Sequence, residues 1–138
     1  MKGDRGSVTI WMLGLSLLLL LFGGLAVDFW RALALQRELA AVADSAAVAA
    51  ASGIDEGHYR LTGEVVLERD RARALADLSI GSQSLDLDTV EVQLSTDLLA
   101  VTVTVVDGID LGLLGVFVDQ AEPLTIQAAS TATPRFVP

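Results

Sequence analysis

Few groups in this chain could do chemistry, and they do not converge in sequence. Its 138 residues include one histidine and no cysteine. His58 stands in Asp55-Glu56-Gly57-His58. An imidazole beside carboxylates could begin a metal site, but zinc needs three or four ligands at set spacings, and none converge here; it reads as a solvated loop histidine. Asp107-Gly108-Ile109-Asp110 holds two acids and a glycine. It lacks the alternating oxygen ligands and closing glutamate of a calcium loop, so it reads as a turn and a helix cap. Asp86 and Asp88 precede a strand and read as a solvated edge, with nothing to make one an acid and the other a base. No Ser, Thr or Lys has a partner base nearby, and phosphate-cradling glycine spacing is absent. The expectation is no catalytic residue, no metal, no cofactor and no enzyme.

The elements that would position such groups are dominated by one stretch. Residues 6–27 carry no ionisable side chain and include Leu17-Leu18-Leu19-Leu20-Leu21-Phe22. A helix of that length reaches roughly 33 Å, enough for a hydrocarbon core of about 30 Å. It reads as a single membrane span. Two other readings remain open: a core helix, and a signal peptide cut after Ala26, where Gly24 and Ala26 supply small residues.

Charge separates the span from the rest. The formal net charge is −9. Of 18 acids only Asp4 precedes residue 28, and of nine bases only Lys2 and Arg5 do, which leaves 17 acids against seven arginines beyond the span. So acidic a domain repels nucleic-acid phosphates and anionic headgroups, so no nucleic-acid partner is expected. The membrane contact is then the span alone. Lys2 and Arg5 before it, against Arg31 and Arg37 after it, mildly favour a cytoplasmic N-terminus with residues 28–138 outside. Without disulfides the domain must hold together by packing.

Helix-forming residues continue without Pro or Gly from Val27 to Ala51, and Gly53 reads as a left-handed stop. One helix of roughly 44 residues is expected from about Val8. In its upper half Leu33, Leu39, Val42, Ala43, Ala47 and Ala51 offer an apolar face. The alanines four apart would let another backbone come close. Either the chain's own domain covers that face, or a second copy or different subunit does.

Beyond residue 52 the pattern is mixed. Tyr59, Leu61, Gly63, Val65 and Leu67 alternate as in a short hairpin or extended piece. Residues 68–78 read as helix, with Ala72, Leu75, Ala76 and Leu78 to pack. Val90, Val92 and Leu94, then Leu99, Val101, Val103 and Val105, alternate as an antiparallel pair. A short apolar helix is expected over 111–117, capped by Asp110, and a last strand over 124–133. The fold class is α+β, a long N-terminal helix continuing into a small head with about three antiparallel strands and one or two short helices.

The run Asp4-Arg5-Gly6-Ser7-Val8, then Leu25-Ala26-Val27-Asp28, then residues 35–47 with Ala43-Asp44-Ser45-Ala46-Ala47, resembles the TadE/TadG-like family. Its members are small membrane-anchored proteins of the tight-adherence (Flp) pilus machinery. The firm part of the likeness covers residues 4–52. It implies a pilin-like structural or assembly component of the cytoplasmic membrane or cell surface, with pilus-assembly proteins as partners and a homo-oligomer as an option. Processed pilin-like proteins are cut after a glycine with a glutamate five residues on. Gly6-Ser7 is the matching position, but its fifth residue is Trp11, which puts the chain nearer the TadG-like side. A membrane-tethered ligand-binding module and a secreted protein released after Ala26 are the rival readings.

Overall fold

A computed structural model describes residues 5–83, 87–110, 112 and 124–135. The chain divides into two units, Met1–Ala34 with Ile109–Leu124, and Leu35–Gly108 with Thr125–Pro138. Helix α1 (Arg5–Ala51, 47 residues) contributes to both. The expected helix over 111–117 and its Asp110 cap lie outside the described residues, apart from the helical backbone of Gly112.

In the first unit, α1 presents its side chains outward. From Val8 to Phe22 its large apolar residues are each between 41% and 76% exposed. An 18-residue window reaches a mean hydropathy of 2.4 with 6% of it buried. A helix in the core of a soluble protein would be covered; this one is as apolar as such a core and bare. Ser16 donates to the carbonyl of Met12 at 2.8 Å, which satisfies its hydroxyl inside the helix. Asp28, the first charge after the apolar run, is 5% exposed, and its Oδ1 accepts the amide of Gly112 at 3.2 Å. A Cβ on Gly112 would stand 3.2 Å from that oxygen and 3.3 Å from Arg31 Nη1, so a side chain there would crowd both.

In the second unit, two short helices and three strands build one core. Helix α2 (Glu56–Thr62) starts where Asp55 Oδ1 accepts the amide of His58 at 2.8 Å and stops at Gly63 with φ 77°. Sequence alternation had predicted an extended piece here. The structure corrects this over residues 59–62, because the cap and the left-handed glycine bracket a short helix that buries no side chain, while Leu67 is extended and bridges Ile54. Helix α3 (Arg69–Gly81) buries Ala72 and Ala76. Leu75 is half-buried and Leu78 is exposed.

The sheet runs in the order β1 (Thr89–Leu94), β2 (Val101–Ile109), β3 (Leu124–Ala132). Strands β1 and β2 are antiparallel, with Val90, Val92 and Leu94 opposite Val105, Val103 and Val101. Val101, Val103 and Val105 are fully buried, while Thr89, Glu91 and Gln93 face water. Asp107 and Gly108 prolong β2, where a turn was expected; Asp107 Oδ1 takes up the Gly108 amide at 2.8 Å.

One cluster joins these elements: Leu39, Val42, Ala43, Ala46, Ala47, Ala50 and Ala51 of α1 with Leu67, Ala72, Ala76 and the three valines of β2. The α1 members recur at three and four residues, one stripe of the helix. Each fully buried Leu or Val stabilises the head by about 1.5–3 kcal/mol relative to exposure. Gly53 sets the closest approach. A Cβ there would lie 2.8 Å from the Ala72 amide nitrogen and 2.9 Å from its Cα. Its φ is not positive, so the glycine is required by the passing backbone of α3 and not by a left-handed cap.

Candidate functional site

The groups with chemical potential stay apart. His58 Nε2 is shielded from water, lacks a hydrogen-bond partner among the described residues, and stands 3.7 Å from Glu64 Oε2. Glu56 faces Arg60 at 3.6 Å and Arg71 at 3.5 Å, in a shallow hollow it shares with Ser52, Ile54 and Tyr59. These pairs are well exposed and contribute little to stability. Asp88 is exposed, and Asp86 lies outside the described residues. Among the described residues no three His, Asp or Glu side chains gather to hold a metal ion. Asp97 has its carboxyl held below the usual 3.8, first by the Ser95 hydroxyl and then by the Leu99 amide. It sits in the β1–β2 turn, where Leu98 adopts a left-handed φ of 59°.

Of the residues expected to pack helices, all but Leu33 come together, inside the chain. Leu39, Val42, Ala43 and Ala47 are fully buried, Ala51 nearly so, and Leu33 half-buried. Their neighbours in the core cluster are the chain's own α3 and β2, the cover that the sequence left undecided between self and partner. Gly6 and Ser7 lie in the first turns of α1.

What remains uncovered is the other side of the same helix. Arg37, Ala41, Asp44, Val48 and Ser52 follow one another at four, three, four and four residues, and all are exposed. Beside them runs an open groove of about 490 Å³, lined by Asp44, Val48, Ala51 and Ser52 from α1 and by Thr131, Ala132, Thr133 and Arg135 from the end of β3 and beyond. Asp44 Oδ1 accepts from the Ser130 hydroxyl at 3.1 Å, which fixes the carboxylate at the groove's edge. Ser45, next on the helix, is held by Gln83 Nε2 at 2.7 Å. The sequence reading missed this stripe, though it was available as the complement of the apolar one. On the first unit, Ile10, Trp11, Gly14, Leu15 and Leu18 frame a second, apolar hollow, centred on a glycine with open space above it.

Residues 6–53 match the Tad family model, described as "Putative Flp pilus-assembly TadE/G-like". Comparison with characterised proteins and with solved structures finds no match. The matched stretch is α1 through Gly53, so it takes in the apolar run, the buried stripe and the glycine on which α3 rests.

Proposed function

Since residues 6–53 of this chain match the TadE/G-like pilus-assembly family model, we propose that the protein is a membrane-anchored, minor-pilin-like component of a tight-adherence pilus or a related secretion system, acting through helix–helix packing. The observation that carries this reading is the contrast within α1: the apolar run is bare and long enough to cross a bilayer, while the small-residue stripe is covered by the head. The run anchors the chain in the cytoplasmic membrane as a single pass. The N-terminus stays inside and the acidic head stands outside, toward other pilin-like or pilus-assembly proteins.

The stripe Leu39, Val42, Ala43, Ala47 and Ala51 seats the head on α1, and the opposite helix face is left for neighbours. Binding specificity then resides in that face and in the acidic head, with no cofactor and no catalytic step.

The chain's lack of cysteine makes the test clean. A single Asp97→Cys variant should react in intact cells with a maleimide that cannot cross membranes, and the protein should stay with membranes through an alkaline wash. Co-purification with pilus components completes the expected pattern. A head protected until cells are broken, or a protein released by the wash with residues 1–30 intact, would overturn the proposal.

A further inference from the structure

The sheet of the head has two edges, and they are built differently. Strand β1 is six residues long, has α3 beside it, and carries Glu91 on its exposed face, where Gln93 Nε2 donates to it at 2.7 Å. Strand β3 is nine residues long and holds no charge, proline or glycine. Among the described residues no strand lies beyond β3, and no hydrogen bond from outside the sheet reaches its backbone. An edge of that kind is a template for another strand. Proteins that leave an edge unused therefore shorten it, charge it or break it with proline. β1 is both short and charged, whereas β3 is neither and meets no proline until Pro134.

Cover is incomplete beside β3 as well. Ile126, Ala128 and Ala132 pack against the core yet stay half-buried, while the inward valines of β2 are fully buried. The groove of about 490 Å³ borders the end of this strand, with Thr131 and Ala132 on one side and Asp44 and Val48 of α1 on the other. Space and unused backbone groups thus adjoin.

We infer that β3 receives an extended segment of a partner protein as a fourth strand, uncharged along its paired length and basic at its flanks. Every second residue from Thr125 to Ala132 turns its N–H and C=O outward, along an edge of about 27 Å. Main-chain pairing of this kind supplies affinity, and the side chains that border it supply choice. The basic flanks follow from charge. Beyond residue 27 stand 17 acids against seven arginines. Asp44, exposed at the groove, meets no cation among the described residues. Arg135 is the one cation of the lining, against a head that is strongly negative overall. The same field opposes a second copy of this chain, which would bring its own acids to the edge. The inference goes beyond the assembly role, since it concerns the head and holds whether or not the first helix packs against others.

The test mixes the full-length protein in detergent micelles with a synthetic peptide of alternating threonine and valine, with two lysines at each end. With peptide at ten times its Kd, amide exchange should slow about tenfold at every second residue of β3 and stay unchanged in β1. A peptide N-methylated through its central part keeps charge and side chains but loses its donors, and should not bind. Glutamates in place of the lysines should weaken binding about tenfold. Asp44→Asn still accepts from Ser130, and should weaken binding about threefold at low salt and not at high salt. Equal binding by the N-methylated peptide would overturn the proposal, as would no protection by the lysine peptide or protection of β1 in place of β3. Outward β3 amides already slow without peptide would overturn it too. Slowness independent of protein concentration would put the chain's own residues on the edge, and slowness that grows with concentration would put a second copy there.

Discussion

Two stretches of helix α1 share a composition class and differ in everything else. From Val8 to Phe22 the side chains are large, apolar and bare; from Leu39 to Ala51 the stripe facing the head is mostly alanine and wholly covered. Hydropathy alone treats them alike. Size separates them, because lipid accepts any bulky apolar side chain without shape, whereas a protein interface at close-packed density rewards small residues that let backbones approach. A solvent made of acyl chains selects for greasiness; a solvent made of folded protein selects for fit.

The most severe way to break that contrast is to crowd the tight half. Gly53→Val would push a side chain into the backbone of Ala72 and should cost about 3 kcal/mol of head stability, read as a lowered thermal midpoint, while membrane association stays unchanged. Leu18→Arg tests the loose half. A charge at mid-span opposes insertion by roughly 3 kcal/mol, so the membrane-bound fraction should fall, whereas Leu18→Ala should leave the head's melting where it was. Asp55→Ala removes the cap of α2, a helix that buries nothing. Its loss of about 1 kcal/mol should appear as faster amide exchange confined to α2, sparing the stripe.

The smallest effect concerns the surface. Asp97 has a folded-state pKa below its ordinary value, so its charged form is favoured by folding. That contribution is complete above the ordinary aspartate pKa and fades as pH falls through the lower folded value. Asp97→Asn should therefore flatten the acid limb of the head's stability profile below about pH 4 and change little near neutrality.

Much of this arrangement was legible in the residues. Helix α3, the β1–β2 pair and β3 each imprint a period on the sequence, because each is covered more on one face than on the other, and the length of α1 shows as a run unbroken by Pro or charge clusters. Helix α2 left no such imprint. It buries nothing, so its apolar residues follow no helical period; of the alternating set, Tyr59 and Leu61 fall in the helix, while Leu67 beyond it does form an antiparallel bridge, with Ile54. Gly53 was recognised as special for the wrong reason, since a neighbour's backbone distant in sequence cannot be seen from local chemistry. The same holds for Asp107, where pairing to the rest of the sheet outweighs the turn preference of Asp-Gly. The buried stripe was read as needing cover, from the chain's own head or from a partner; the head covers it, and the exposed stripe had to be found as its remainder.

Asp28 closes the apolar run with a carboxylate that is turned inward, onto an amide supplied by Gly112 from 84 residues further along. Under the proposed anchoring, the first charge past the apolar run would therefore meet the headgroup zone already satisfied by the chain itself, and would ask nothing of the lipid.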